Sequence, residues 1–483
     1  MLRKLTAATA GALLTTTLLA TSAQTATADA VQDPIPDPGR HTFEGKIDGA
    51  QYRVETPEDW NGTLLLYSHG YIPSFFVPPG QEPPVALTNR PLPNGQTSEQ
   101  WLLDHGYALA ASNYKGVTGY QVQQGAQDQI KLLDWFEREI GTPERTISTG
   151  QSLGGVLAVK LAAENPGRFD GVATFCAEYD PVSQFNTVLD LTYAIVRLLD
   201  PAEEIDLVHP GTFDEAWADL MALHAAVDKA FETPDGRAKL ALIGSLNNIS
   251  GWYSARYPEP ANDLEFLEQQ KEWVKWAYGM LGTLGRIDLE ARAGGNPSWN
   301  TGIDYKRQFH KSAQGERVRR AYAHADQASL KADLAALNAG PRIAADPQAV
   351  EYLSRDVATG NLRVPTLTLH STGDGGAIVD QERWYAEQAR KHGKSHLLRN
   401  TWVERGGHCT ISGAEEIVAI QSLERRIETG RWPNLSPARM NAAAAAMPDD
   451  LQYVFDFSTD GTDEPDVPKF TRFMPPRFLR PTH

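Results

Sequence analysis

The chain is short of cysteine, with only Cys176 and Cys409 among 483 residues. Two thiols exclude a disulfide-stapled scaffold and a four-thiolate zinc site. Basic residues are also in deficit, with 45 Lys and Arg against 61 Asp and Glu and a formal net charge of −16. A nucleic-acid binder needs a basic face to neutralise phosphates, and an anionic membrane attracts basic segments, so neither partner suits this charge. Long apolar runs are missing beyond the first thirty residues, so no membrane insertion is expected. H-E-x-x-H, C-x-x-C, a phosphate loop and a dinucleotide fingerprint are all missing, and no metal or organic cofactor is inferred. Apolar content is ample: 41% hydrophobic residues, with 11 Trp, 16 Tyr and 16 Phe, can build a large core.

Residues 1–30 begin with Arg3 and Lys4, continue uncharged from Leu5 to Ala28, and end in Ala28-Asp29-Ala30. This is the pattern of a secretory signal peptide cut near Ala30, and it implies a secreted, extracellular product. A membrane anchor is the other reading, but the many Thr make the run weakly apolar for a spanning helix.

Strand and helix patterns then alternate. Short apolar runs at 63–67, 107–112, 145–149 and 169–175 read as strands after a hairpin at 42–55, with helical spacing at 121–140 and after residue 153. Ser98 is a candidate cap for a short helix to His105. From about Ala177 to Leu362 the patterns are helical only, as at 184–199, 213–230, 263–283 and 328–338. Alternation resumes with strands at 364–370 and 396–403 and helices at 380–392 and 413–428. The expected fold is α/β, a mostly parallel sheet flanked by helices. The division reads 31–176 as the first part of the sheet domain and 177–363 as a helical cap inserted after the fourth recognised strand. Residues 364–433 are its second part and 434–483 a C-terminal extension. The two ends of the insertion are expected to meet at one edge of the sheet.

Gly150-Gln151-Ser152-Leu153-Gly154 fits G-x-S-x-G. A serine on a sharp strand-to-helix turn is pushed out above the sheet, and flanking glycines let strand and helix approach where a Cβ would collide. The following helix aims its N-terminal amides at the site. His69-Gly70-Tyr71 follows the first buried strand and can offer the Tyr71 backbone N–H beside that of Leu153, giving two oxyanion donors. Asp374 follows the strand at 364–370. His408 lies on a glycine-loosened loop, Arg405-Gly406-Gly407-His408-Cys409, able to reach back to Ser152. Other readings of these residues are a helix cap for Ser152, a turn residue for Asp374 and a surface histidine for His408. Asp380, Glu178 and Asp180 are rival acids, and His370 reads as a packing residue near the site.

With these motifs in the order Ser, Asp, His, residues 42–176 and 364–430 resemble the α/β-hydrolase superfamily in its secreted bacterial esterase/lipase branch. The resemblance implies Ser152 as nucleophile, Asp374 as triad acid, His408 as base, and Tyr71 and Leu153 as oxyanion donors. It implies acyl transfer to Ser152 and hydrolysis of a carboxylic ester. His408-Cys409 also resembles the feruloyl-esterase/tannase group, where a Cys beside the His bonds a Cys beside the Ser; here Gln151 precedes Ser152. Cys176 ends the fourth strand, so a Cys176–Cys409 disulfide is expected in an oxidising compartment, the alternative being two buried thiols.

The insertion carries Trp252, Tyr253, Trp273, Trp276 and Tyr278, mostly as expected core. With Phe75 and Phe76 it is expected to roof an apolar pocket for a bulky or hydrophobic substrate, a small-molecule or polymeric ester. Two alternatives stand beside the esterase. A secreted peptidase on the same fold would use carboxylates such as Glu265, Glu268 and Glu272 to hold a substrate amine. A non-catalytic binding protein would leave the Ser, Asp and His without work. Asp460, Asp463, Glu464 and Asp466 lack calcium-loop spacing and read as a solvated turn. No partner protein is identified.

Overall fold

The computed structural model describes residues 40–78, 81–89, 96–201, 204–458 and 463–482. The expected signal peptide and the start of the 31–176 segment lie outside them, as does Asp460. Nine strands form one sheet in the order β1-β2-β4-β3-β5-β6-β7-β8-β11. They are β1 (Arg40–Ile47), β2 (Ala50–Pro57), β3 (Thr63–Ser68), β4 (Ala108–Ser112), β5 (Arg145–Gln151), β6 (Gly171–Phe175), β7 (Thr366–Gly373), β8 (Leu398–Gly406) and β11 (Phe470–Thr471). A separate hairpin pairs β9 (Tyr453–Phe455) with β10 (Asp463–Pro465). Strands β4, β3, β5, β6, β7 and β8 run parallel, while β1, β2 and β11 join antiparallel at the two edges. Every residue of β3, β4 and β6 is buried, which is why these strands read as unbroken apolar runs.

The sheet is covered by α1 (Gln96–Asp104), α2 (Val122–Glu139) and α3 (Leu153–Glu164) before the insertion. Ser98 lies inside α1 and is buried, with its hydroxyl 3.3 Å from that of Thr88, so it does not cap the helix. The helix begins at Gln96. The insertion holds α4 (Pro181–Leu199), α5 (Phe213–Phe231), α6 (Pro234–Ser245), α7 (Asp263–Glu272), α8 (Met280–Gly282), α9 (Leu284–Ala293), α10 (Tyr305–Lys311), α11 (Gly315–Ala323), α12 (Leu330–Ala339) and α13 (Pro347–Ser354). Local signals start several of these. Asp180 accepts from Ser183 N with Pro181 in the first turn of α4, and Thr212 and Glu215 form a reciprocal capping box on α5. The helix expected over 263–283 is present as one helical run from Asp263 to Gly282, with a π turn at Trp273–Gly279 inside it.

The ends of the insertion do not meet at one edge. The chain leaves the carboxyl end of β6 and re-enters at the amino end of β7, because parallel neighbours require a crossover. After β7 come α14 (Asp380–Lys391), then β8, α15 (Gly413–Thr429) and α16 (Pro437–Ala445). Past α16 the chain is tied back into the fold. β11 pairs with β8, and Arg480 makes two 2.6 Å bonds to the buried Asp190 on α4. Thr482 N and Oγ1 donate to Asp180, and Asn248 donates to Arg477 O. Glu464 lies 3.4 Å from Arg256, and Asp466 meets Arg405 and Lys469, so these two are ion-paired rather than merely solvated. Parallel order, flanking helices and a crossover insertion after β6 make this an α/β-hydrolase fold.

Candidate active site

Ser152 stands between β5 and α3 with φ 53° and ψ −123°, a conformation a non-glycine residue holds at a cost of about 1–3 kcal/mol. The turn is forced by close approach. A Cβ on Gly150 would collide with the carbonyl of Gly154, and one on Gly154 with the carbonyl of Ser68 at the end of β3. Ser152 N donates to Phe175 O, which anchors the turn to β6.

The loops after β7 and β8 bring two more side chains to this turn. His408 Nε2 lies 2.9 Å from Ser152 Oγ, and His408 Nδ1 lies 2.7 Å from Asp374 Oδ2. A carboxylate opposite Nδ1 fixes the proton there and leaves Nε2 free to accept from the serine hydroxyl. Asp374 is buried, and its second oxygen accepts from Gly376 N at 2.8 Å and Ala377 N at 3.1 Å. Burial pushes this carboxyl up, but the charge of His408 and the bond from His370 outweigh it and hold it at about 2.

Cys176 and Cys409 are disulfide-bonded, with Cα atoms 5.2 Å apart. The bond joins the end of β6 to the residue after His408, and Cys409 Sγ lies 3.4 Å from His408 Nε2. Both cysteines have positive φ, 43° and 58°, so three non-glycine residues in the left-handed region meet around one point. Among the described residues these two cysteines and His408 are the one cluster with metal-ligand spacing, and the shared disulfide occupies both sulfurs.

On the other side the turn after β3 borders the serine. A Cβ on Gly70 would lie 3.1 Å from Ser152 Cβ, which puts Tyr71 next in line, and Leu153 opens α3. The Tyr71 hydroxyl stands beside Gly285 of α9, and burial together with the charge of Asp288 pushes it up. Phe75 packs with Ala216, Leu220 and Leu284 of the insertion. Phe76 is 69% exposed and contacts Phe75 edge-on. From the insertion, the Tyr278 hydroxyl donates to Gly375 O at 2.7 Å, the Trp273 ring lies against Gly375, and Trp252 lies against Gly373 and Gly406. The helical block thus touches both the Asp374 and His408 loops.

Two of the three rival acids are engaged elsewhere, and Glu178 stays beside the site. Asp180 caps α4 and takes Thr482, and Asp380 accepts from Asn248 while burial pushes it up to about 8. Glu178 is half-buried and feels His408, Asp374 and His370, with burial raising it to about 7. Glu265 and Glu268 are exposed on α7, and Glu265 accepts from Ala261 N. Sequence reading takes His370 for a packing residue and does not single out Glu382. His370 is fully buried 3.3 Å from Asp374 Oδ2, and Glu382 of α14 lies 3.2 Å from the far side of its ring. The i,i+4 spacing of His370 and Asp374 was the available signal.

The chain matches the model of a family described as "Putative esterase" over residues 91–283. It is 28% identical over 458 residues to an o-phthalyl amidase of Xanthobacter agilis, covering 89% of this chain and 95% of that one. Among solved structures it is similar to a serine hydrolase from Cycloclasticus zankles at 15% identity and TM-score 0.32, covering 77% of this chain and 92% of that chain. An esterase from Aspergillus oryzae aligns at 11% identity and TM-score 0.37, covering 89% and 85%. The esterase match and the amidase relative together support a hydrolase.

Proposed function

We propose that the protein is a serine hydrolase that cleaves carboxylic esters through an acyl-enzyme on Ser152. The observation that carries this reading is the continuous hydrogen-bonded line from Ser152 Oγ through His408 to Asp374. His408 takes the serine proton as Oγ attacks the carbonyl carbon, and the tetrahedral oxyanion is held by the backbone N–H groups of Tyr71 and Leu153. The alcohol leaves with the proton from His408. A water then repeats the sequence on the acyl-enzyme, with His408 as base. Asp374 keeps the imidazole in one tautomer and balances its transient positive charge. Such backbone donors are each worth about 10²–10³ in rate.

The packing of Phe75 against the helical block supports a substrate with a bulky or hydrophobic part. We further propose that residues 1–30 are a signal peptide and that the disulfide forms in an oxidising compartment after export. The similarity to an o-phthalyl amidase favours a second reading, in which the same serine opens an amide of an aromatic acid. The test is labelling with a fluorophosphonate, followed by turnover of p-nitrophenyl esters, aryl amides and aminoacyl anilides. Labelling lost in Ser152→Ala with ester turnover supports the first reading. Amide turnover without ester turnover moves the assignment to the second. An unlabelled parent protein removes both.

A further inference from the structure

The line of polar contacts does not stop at Asp374. Its Oδ2 lies between two imidazoles, 2.7 Å from His408 Nδ1 and 3.3 Å from His370 Nε2. His370 Nε2 is also 3.1 Å from Ala377 O, and His370 Nδ1 is 3.2 Å from Glu382 Oε1. Glu382 in turn is saturated with donors. Tyr179 Oη donates to Oε1 at 3.2 Å, and Thr368 Oγ1 and Asn400 Nδ2 donate to Oε2 at 2.8 and 2.6 Å. These three donors, counted without His370, favour the anionic form of the carboxylate.

Every partner of the His370 ring is therefore an acceptor. A neutral imidazole carries one N–H and one lone pair, and in this site the lone pair would face an oxygen lone pair in a fully buried position. We infer that His370 is a buried imidazolium bridging Asp374 and Glu382, and that it acts as a positioning residue which fixes the charge and orientation of Asp374 and so tempers the basicity of His408. This deepens the proposed role of the Ser152 site and rests on it.

The surrounding groups agree with a cation. The loop after β7 contributes Asp374, α14 contributes Glu382, and the segment after β6 contributes Tyr179 and Glu178. The loop after β8 contributes His408, and the insertion contributes Tyr278 beside Asp374 and Glu178. Asp380, on the same helix as Glu382, is turned to Asn248. Burial pulls the His370 imidazole down, but its bonds and charge pairing with the two carboxylates carry it up to about 9. Removal of this cation exposes His408 to the full field of two buried carboxylates, so its conjugate acid becomes more stable.

The test reads the pH dependence of Ser152 phosphonylation together with the protonation state of His370. In His370→Gln the acid limb of the labelling rate should move up by about one pH unit. In the double variant His370→Gln, Glu382→Gln, which removes one charge of each sign, at least half of that shift should disappear. A purely structural role produces no such compensation. An unshifted limb in a folded His370→Gln protein overturns the inference. Nitrogen-15 spectra of histidine-labelled enzyme decide the case even if the single variant does not fold. At pH 8 the wild type should show one imidazolium signal that the double variant lacks, and a neutral imidazole at this position overturns the inference. Failure of the wild type to react with the phosphonate removes the hydrolase reading while leaving this spectroscopic result in force.

Discussion

Two regions of the molecule treat their side chains differently, the strand ends around Asp374 and the outer face of the insertion, whose inner face also buries the matched charge of Asp190. Around the carboxyl ends of β5 to β8, polar and charged groups are buried and matched. Asp374, His370, Glu382, Arg405 and Glu415 are each within a few per cent of fully covered, and each has named partners. On the insertion, apolar groups are left in solvent: Phe213, Trp217, Met221 and Trp276 are between 38% and 48% exposed. Phe213 and Trp217 stack, and Phe213 approaches Phe75 beside the Tyr71 turn. The difference teaches where tolerance lies. Buried charge in a low-dielectric setting is intolerant of partner loss, whereas an exposed ring tolerates substitution in stability and affects only what it meets.

Predictions that test this contrast run from large to small. Ser152→Ala should lower ester turnover about 10⁴–10⁶-fold with unchanged melting, checked by initial rates and calorimetry. Arg480→Met leaves Asp190 buried without its counter-charge, and denaturant titration should find a loss of about 3–5 kcal/mol. Much of that loss should return in Asp190→Asn, Arg480→Met. Cys176→Ser with Cys409→Ser should cost about 2–5 kcal/mol and slow Ser152 labelling as His408 loses its tether. An unchanged labelling rate in that variant would detach the disulfide from the chemistry.

The pH dependence of stability follows from the direction of the His370 shift. Its folded value, about 9, lies above the ordinary 6.5. Its contribution is therefore complete below pH 6.5 and is lost as pH rises through 9. Asp374 has the opposite sign: held at about 2 against an ordinary 3.8, its contribution is present above 3.8 and lost as pH falls towards 2. Urea midpoints across both windows should show these two slopes, and His370→Gln should flatten the alkaline one. Smallest of all, Trp217→Ser should alter stability by less than about 0.5 kcal/mol. It should raise KM for a long-chain p-nitrophenyl ester and leave the acetate unaffected. A large stability loss there would erase the contrast between the two regions.

The parts legible in the sequence are those with local causes. Buried parallel strands must be apolar on both faces, so β3, β4 and β6 stood out. The collisions around Gly150 and Gly154 leave a pentapeptide trace, which is how Ser152 was singled out, and the loops holding Asp374 and His408 follow strands of the same kind. What escaped depends on contacts between distant segments. β11 is only two residues long and has no period to read. The bond between Arg480 and Asp190 joins residues 290 apart, and nothing near either one announces it. The π turn at Trp273–Gly279 lies where Trp273 and Tyr278 meet Gly375 of the Asp374 loop, a contact that no local pattern announces. Glu382 looked like one more polar residue in the first turn of α14, because its partners lie on β7, β8 and the segment after β6.

The crossover after β6 also orders events in time. Ser152 and His408 are 256 residues apart, and every helix of the insertion is translated between them. The groups that meet at the Ser152 hydroxyl are therefore not all present until the last strand of the parallel set has been made.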